Sequence, residues 1–527
     1  MDDSNATTVV NDQSFRRLIE GLSRPDAYPE IEVESVEVHQ THISWVFLVG
    51  EYAYKIKKPI RTHFLDYSTL EKRKFYCEEE VRLDQRYAAE IYLGVVPVTM
   101  HDGRPVVEGK GVPVEYAVKM RRFPQSALLS KQMQAGTLTS DEVDALAIRV
   151  AEFHQSATHL DSHLDPGRLG SVDRIEKNAI ENLSDLHESV RGEAAKTIQV
   201  LTSWTHHYFE KYRRVFSQRV ANGFIRECHG DMHLENIVQW NGRLIPFDGI
   251  EFNDEFRWID VISDAAFVAM DFAARGRLDH CRRFINAYLD ATGDHASLAV
   301  LRWYLVYRSL VRAKVAAIRA SQPHLTDSQR QSAMADCEQH VELAYRFSLK
   351  DKPALWITHG FSGSGKTTAS EIVVERCGAI RLRSDVERKR HFGLVPTERP
   401  PAGKTQTLYD EHATQATYAR LRRMARCIMR SGYPVIVDAT FLRHSQRKMF
   451  QSLAQREEAT FKILDCHASE QTLRQRIADR MVRDNDASDA DLAVLERQLA
   501  AHEPLDEQEQ ELVCLVPDAS TAIEHHV

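Results

Sequence analysis

No apolar run in this 527-residue sequence approaches the roughly 18 residues that a membrane-spanning helix needs. There is no C-x-x-C pair and no His/Cys spacing of a zinc site, because Cys77, Cys228, Cys281, Cys337, Cys377, Cys427, Cys466 and Cys514 are scattered. That scatter argues against a disulfide framework and predicts reduced, mostly buried thiols in a cytoplasmic setting. The opening residues, MDDSNATTVVNDQS, lack the basic-then-apolar order of a secretory leader, so none is expected. Positive charge is not in excess either. A formal charge of −8 argues against a general nucleic-acid or anionic-membrane binder, while leaving room for a local basic cleft. The length exceeds what one core can organise and predicts two or three domains.

What the sequence does contain is Gly360-Phe361-Ser362-Gly363-Ser364-Gly365-Lys366-Thr367, which fits G-x-x-x-x-G-K-[ST] at every fixed position. Residues 354–358 before it read as a buried strand and 368–376 after it as a helix. In that order the glycines let backbone N–H groups curl around a polyphosphate at the positive end of the helix. Gly360, Ser362, Gly363, Ser364, Gly365, Lys366, Thr367 and Thr368 are therefore expected to bind nucleotide, with the Lys366 charge on the phosphates and the Thr367 hydroxyl on Mg2+.

Far upstream, residues 31–49 alternate like strand and stop at Gly50-Glu51. Tyr52-Ala53-Tyr54-Lys55-Ile56-Lys57 then has the small-residue-then-lysine form of a kinase strand whose lysine holds nucleotide phosphates. Lys55 is the candidate, and Lys57 shares its strand face. Residues 70–87 read as a charged amphipathic helix bearing Glu78, Glu79 and Glu80, any of which could pair with that lysine. Glu80, one turn from Tyr76 and Leu83, is favoured by helical phase. A solvated acidic face is the ordinary alternative for each. Two more strands, 91–98 and 112–120, are joined through His101-Asp102-Gly103, and Arg121-Arg122-Phe123-Pro124 makes a break suited to a hinge. Helical patterns at 141–157, 175–182 and 198–220 follow, so a small β-rich lobe precedes a helical one.

His229-Gly230-Asp231-Met232-His233-Leu234-Glu235-Asn236 comes next, and then Phe247-Asp248. The separation of Asp231 from Asn236 equals that between the base and the metal-binding asparagine in the kinase loop H-R-D-L-x-x-x-N. The chemistry needs a carboxylate to take the acceptor's proton, Asp231, while Asn236 and Asp248 hold Mg2+ against the phosphoryl group. Glu251, Asp254, Asp260 and Asp264 could orient this loop or bind a cationic substrate, with capping the expected role for most. The box His229-Gly230-Asp231-x-His233-x-x-Asn236 with Asp248 resembles that of aminoglycoside phosphotransferases and related choline-kinase-like enzymes, over roughly residues 30–345. The resemblance implies a bilobal protein-kinase-like fold with Asp231 as base. It departs at Gln40-Thr41-His42-Ile43-Ser44, where a nucleotide-covering loop would lie and no glycine occurs. Residues 298–320 read as a long helix with Arg308 and Arg312 on one face, either an anionic acceptor site or a solvated face.

Beyond the phosphate loop, residues 379–382 read as a strand delivering Ser384-Asp385-Val386-Glu387-Arg388, which places Asp385 to act as a general base. Residues 409–431 read as a helix, and 435–438 as a buried strand ending in Asp438, the position of a carboxylate that orients magnesium. Arg476, Arg480 and Arg483 recur along one later helix as a lid for transferring phosphate, with a solvated basic face as the alternative. This half resembles P-loop kinases that include zeta toxins, gluconate-kinase-like enzymes and bacterial polynucleotide 5′-kinases. The resemblance implies that Asp385 is the base, that Arg388 contacts the acceptor, and that lid arginines such as Arg476 and Arg480 stabilise the transferred group.

The expectation is an α/β multidomain chain: an N-terminal segment to 29, a bilobal protein-kinase-like α+β domain over 30–348, and a parallel-sheet P-loop domain over 353–527. Its expected activity is transfer of phosphate from Mg2+ with ATP or GTP to a small-molecule hydroxyl. Two alternatives stay open: an upstream half that only binds substrate or regulates, and a nucleic-acid 5′-end kinase downstream.

Overall fold

In this computed structural model, residues 8–9, 13–62, 65–160, 169–323, 325–395, 410–483 and 491–514 are described, with side chains of 8–9 and 480–483 excepted. The chain divides into two compact units, residues 1–177 with 216–268, and residues 178–215 with 269–527.

The first unit is built on a six-stranded antiparallel sheet. Its strands are β1 (Glu37–Gln40), β2 (Ser44–Val49), β3 (Tyr52–Lys57), β4 (Tyr92–His101), β5 (Arg104–Val107) and β6 (Pro113–Arg121), in spatial order β1-β2-β3-β6-β4-β5. Alternation sorts β3 between two environments. Tyr54 and Ile56 enter a core with Phe47, Val49, Val98 and Ala117. Ala53, Lys55 and Lys57 face the other way, toward α1 (Leu70–Ala88), whose Cys77 and Ala88 pack with Ala53 and Val118. The Asp102-Gly103 signal makes a hairpin with both residues at positive φ, 48° and 77°. The strand it launches, β5, is not expected from the sequence: its run Arg-Pro-Val-Val is too short to show alternation.

Behind the sheet, α2 (Ser140–Ser156) starts at a capping box between Thr139 and Glu142. Short antiparallel pairs follow: β7 (Ile225–Glu227) with β10 (Trp258–Asp260), and β8 (Ile237–Trp240) with β9 (Arg243–Pro246). In the second pair Ile237 lies opposite Pro246, so Asn236 and the Phe247-Asp248 step flank the open end of one hairpin. The helix α3 (Val261–Ala274) begins immediately after β10.

The second unit joins helices to a four-stranded parallel sheet. Helix α5 (Leu298–Ala320) lays Val306, Leu310 and Ala313 against Cys337, Val341 and Ala344 of α6 (Asp327–Ser348). The sheet comprises β11 (Ala354–His359), β12 (Ile380–Arg383), β13 (Val435–Asp438) and β14 (Thr460–Asp465), ordered β12-β13-β11-β14. Crossing over it are α7 (Lys366–Cys377), α8 (Ser384–His391), α9 (Glu411–Arg430) and α10 (His444–Arg456), and α11 (Glu470–Arg483) and α12 (Leu492–Ala500) follow. The helix α4 (Leu278–Thr292) covers the β12 edge. The Asn286 carboxamide donates to the Ala379 carbonyl at 3.1 Å and accepts from the Arg381 N–H at 2.7 Å, as a neighbouring strand would. All eight cysteines are free, and among the described residues no helix is long and apolar enough to cross a membrane.

Candidate active sites

In the first unit the loop bearing Asp231 is held from below by a buried carboxylate. Asp264, near the start of α3, accepts from the His229 and Gly230 N–H groups at 3.0 Å each, and His154 of α2 approaches its Oδ2 at 3.2 Å. Gly230 has φ 87°, and a Cβ there would lie 2.7 Å from the Phe256 carbonyl, so only glycine makes the turn. The His229 ring Nε2 lies 2.9 Å from the Phe247 carbonyl, and its Nδ1 lies 3.2 Å from the Asp231 N–H. Those partners select the neutral Nε2–H tautomer. Burial favours it too, lowering the His229 pKa. Above this floor the Asp231 side chain is 37% exposed, open to an acceptor. The Asn236 amide donates to the Asp231 backbone oxygen at 3.0 Å and to its carboxylate at 3.2 Å, which leaves the amide oxygen for a cation.

Lys55 and Glu80 meet as the sequence suggests, at 2.9 Å, and Lys55 also reaches Asp248 at 2.5 Å. Burial opposes the charge on Lys55, but Asp248 and Glu80 outweigh it and hold the lysine pKa well above its ordinary value. The other two glutamates point elsewhere: Glu79 pairs with Arg82 and Arg257, and Glu78 with Lys74. Lys57 does not reach the open site. It is fully buried and binds Glu80 at 2.7 Å together with Glu251. Asp248 adopts φ 63°, a left-handed conformation that a non-glycine residue keeps only where its surroundings impose it. Asn236 and Asp248 supply only oxygens, a donor set that suits a hard cation such as Mg2+. Of the four acids that the sequence offers for orienting this loop, binding a cationic substrate or capping, Asp264 supports the loop and Glu251 partners a lysine, whereas Asp260 pairs with Arg219 and Asp254 with Arg257.

In the second unit, Gly360, Gly363 and Gly365 all have positive φ, and a Cβ on Gly360 would sit 2.3 Å from the Cys466 carbonyl. The loop opens into a cavity of about 870 Å3 lined by Ser362 to Thr368, Asp385, Arg388, Asp438 and Arg476, among others. Thr367 Oγ1 donates to Asp438 Oδ2 at 3.2 Å, bringing both expected metal residues into contact. Lys366 Nζ donates to the Phe361 carbonyl at 2.7 Å, folded along the loop. Asp385 lies in the first turn of α8 and not at the strand end, one residue beyond the start of that helix. Arg388 is buried against Thr414, its Nη1 3.3 Å from the threonine oxygen. Arg476 donates to the Gly363 carbonyl at 3.1 Å. The Arg480 and Arg483 side chains lie outside the described residues. Sequence reasoning misses Gln498 of α12, whose amide accepts from the Ser362 N–H at 2.9 Å and donates to the Ser362 hydroxyl at 3.0 Å. Nothing in a lone glutamine signals that contact. Arg308, the proposed surface cation of α5, is buried.

Residues 355–505 match a family model described as an AAA domain. Over 466 residues, 88% of this chain and 90% of the other, the sequence is 31% identical to the uncharacterized protein Rv2004c of Mycobacterium tuberculosis (strain ATCC 25618 / H37Rv). Uncharacterized protein Mb2027c of Mycobacterium bovis matches with the same figures. The chain belongs to one family with these mycobacterial proteins. Solved structures similar to this chain include a Plasmodium vivax ethanolamine kinase, 10% identical, TM-score 0.37, covering 60% of this chain and 83% of that one. A gluconokinase from Sinorhizobium meliloti 1021 is 20% identical, TM-score 0.22, covering 32% and 87%. The upstream unit places its lysine, helical glutamate, H-G-D loop and following aspartate in the order of the kinase motifs, and the downstream parallel sheet carries the phosphate loop within the residues that the AAA domain model matches.

Proposed function

We propose that this chain carries two phosphoryl-transfer sites, each moving the γ-phosphoryl group of ATP or GTP to an alcohol. The observation that carries this reading is one downstream cavity that holds the phosphate loop, Asp438, Asp385 and Arg388 together. There Asp385 takes the acceptor's hydroxyl proton as that oxygen bonds to the γ-phosphorus, and the bond from phosphorus to the β–γ bridging oxygen breaks to release the nucleoside diphosphate. Lys366 and Arg476 offset charge on the transferred group, and Arg388 orients the acceptor. Thr367 and Asp438 are the residues that would hold Mg2+, which supplies charge neutralisation across the phosphates. Upstream, Asp231 is the base, Lys55 the phosphate contact and Glu80 its support, and Asn236 and Asp248 are the residues that would hold the metal. The free cysteines support a reducing, cytoplasmic setting.

Charge narrows the downstream acceptor. Among the described residues the cavity is lined by Lys366, Arg383, Arg388, Arg443, Arg476 and Arg497 against Asp385 and Asp438. Cations in that excess favour an acceptor with an acidic group, such as a sugar acid or a nucleotide-like molecule, over a cationic aminoglycoside. The same excess supports a second reading, a nucleic-acid 5′-end as acceptor with the upstream unit binding or regulating. Incubating a metabolite and RNA pool with ATP and searching by mass spectrometry for species that gain a phosphate tests both. An anionic small molecule phosphorylated by the wild type and Asp231→Asn but not by Asp385→Asn is the expected result; phosphate appearing only on RNA ends supports the second reading. A product set unchanged in Asp385→Asn removes Asp385 as the base.

A further inference from the structure

Lys57 is a lysine with no access to solvent, one turn of strand beyond the lysine that faces the upstream site. It is enclosed by Glu80 of α1, by Glu251 and by Tyr67, all three buried. Tyr67 donates its hydroxyl to Glu251 at 2.5 Å and sets its ring 4.9 Å from the Lys57 ammonium. Glu80 is therefore shared, one oxygen on Lys55 and the other on Lys57. Three carboxylates, Glu80, Asp248 and Glu251, converge on these two lysines. With Lys55 alone, two acids would stand uncompensated where burial makes their repulsion expensive.

The segment that Lys57 grips is the one bearing Asp248, and its backbone is pinned residue by residue. The Asp248 N–H donates to the Tyr92 hydroxyl at 3.0 Å, Gly249 N–H to Asp84 Oδ1 at 2.9 Å, Ile250 N–H to the His229 carbonyl at 2.9 Å, and the Glu251 carbonyl accepts from Arg257 at 3.1 Å. A Cβ on Gly249 would lie 2.4 Å from the Tyr87 hydroxyl, so a larger residue there would displace the tyrosine that α1 sets against this segment. Glu80, Asp84 and Tyr87 stand at helical spacing along α1, and Tyr87 stacks on His229 with centroids 5.4 Å apart. One face of one helix thus meets the lysine strand, the Asp248 segment and the Asp231 loop.

We propose that Lys57 is a positioning residue: through Glu80 and Glu251 it locks the segment Asp248–Glu251 onto α1 before nucleotide arrives, so that the upstream site is assembled constitutively and needs no activating movement of that segment. The consequence for nucleotide affinity rests on the two-site reading above; the lock itself does not. Without Lys57, Lys55 is the remaining lysine for three acids, and Glu251 loses its contact with the sheet while the Asp248 end keeps its bonds to Lys55 and Tyr92.

Hydrogen exchange on the full chain without nucleotide, read by mass spectrometry, tests the lock. In Lys57→Met and in the gentler Glu251→Gln, peptides covering 246–256 should exchange at least tenfold faster, while peptides from β4 and from the phosphate-loop unit stay within twofold of wild type. Exchange unchanged within twofold at 246–256, or accelerated equally through the whole antiparallel sheet, overturns the positioning role. Calorimetry with Mg2+ and ATP reads the upstream site as the one that Lys55→Ala removes, and Glu251→Gln should weaken that site at least tenfold while the phosphate-loop site stays within twofold. Unchanged affinity overturns the link to nucleotide. A wild type with no site that Lys55→Ala removes has no upstream nucleotide site, while the exchange result still decides the lock.

Discussion

His229 can keep both of its hydrogen bonds only as a neutral ring. Its Nδ1 accepts from the Asp231 N–H while Nε2 donates to the Phe247 carbonyl, and a second ring proton would face the Asp231 N–H head on. Burial lowers its folded pKa below the ordinary value of 6.5. A depressed histidine pKa means the unfolded chain binds more protons in acid, so this stabilisation is complete above pH about 6.5 and shrinks as pH falls below it. The melting temperature of wild type should drop between pH 7 and pH 5 by more than that of His229→Asn, which has no titrating ring; parallel profiles would remove His229 as the source. Asp264 beneath it bonds two backbone N–H groups with two oxygens. In Asp264→Asn one of those oxygens becomes an NH2 group facing a donor, a loss on the order of 1–3 kcal/mol. Chemical denaturation should register that loss in the upstream unit, and nucleotide binding by the phosphate loop should be untouched.

At the scale of elements, what can be read from sequence is what is contiguous. The phosphate loop, the H-G-D box and the parallel strands announce themselves because strand, turn and helix signals fall within a few residues of each other. The Lys57–Glu251 contact spans 194 positions, and neither residue type nor local pattern marks it. Helical phase on α1 picks out Glu80 but gives no hint that Asp84 and Tyr87, on the same face, carry the Asp248 segment and the H-G-D histidine. The same limit hides α4, whose polar residues resemble any solvated helix until the β12 edge lies beside them. Asn286 serves as the missing neighbour of that edge, and Arg282 donates to the Glu375 and Arg376 carbonyls at the end of α7 at 2.9 Å each. Asn286→Leu should therefore leave one N–H and one C=O of the edge unpaired, costing about 1–3 kcal/mol each, and lower the denaturation midpoint of the phosphate-loop unit. A midpoint equal to wild type would show that water replaces the carboxamide. A downstream fragment beginning at 353 would lack α4 and present β12 as an open edge, so it should associate at high concentration where one beginning at 269 stays monomeric in sedimentation.

For the whole molecule the question is how many nucleotides one chain holds. The lysines that would bind phosphate differ in kind. Lys366 lies along a glycine loop whose N–H groups share the work, whereas Lys55 sits in a nest of carboxylates without a glycine-rich cover at 40–44. A loop of converging backbone donors at a helix N-terminus keeps part of its affinity without its lysine; a lysine paired with two acids, Glu80 and Asp248, leaves them repelling phosphate once it is removed. Calorimetry with Mg2+ and a non-hydrolysable ATP analogue should accordingly show two sites per chain. Lys366→Ala should weaken the tighter one by roughly 10–100-fold, and Lys55→Ala should abolish the weaker one while the phosphate-loop site stays within twofold. A single site in wild type, lost in Lys366→Ala and indifferent to Lys55→Ala, would make the upstream unit a module without nucleotide. The double variant settles additivity: independent sites give the sum of the two losses, and any larger loss is coupling, measured directly as the departure from that sum.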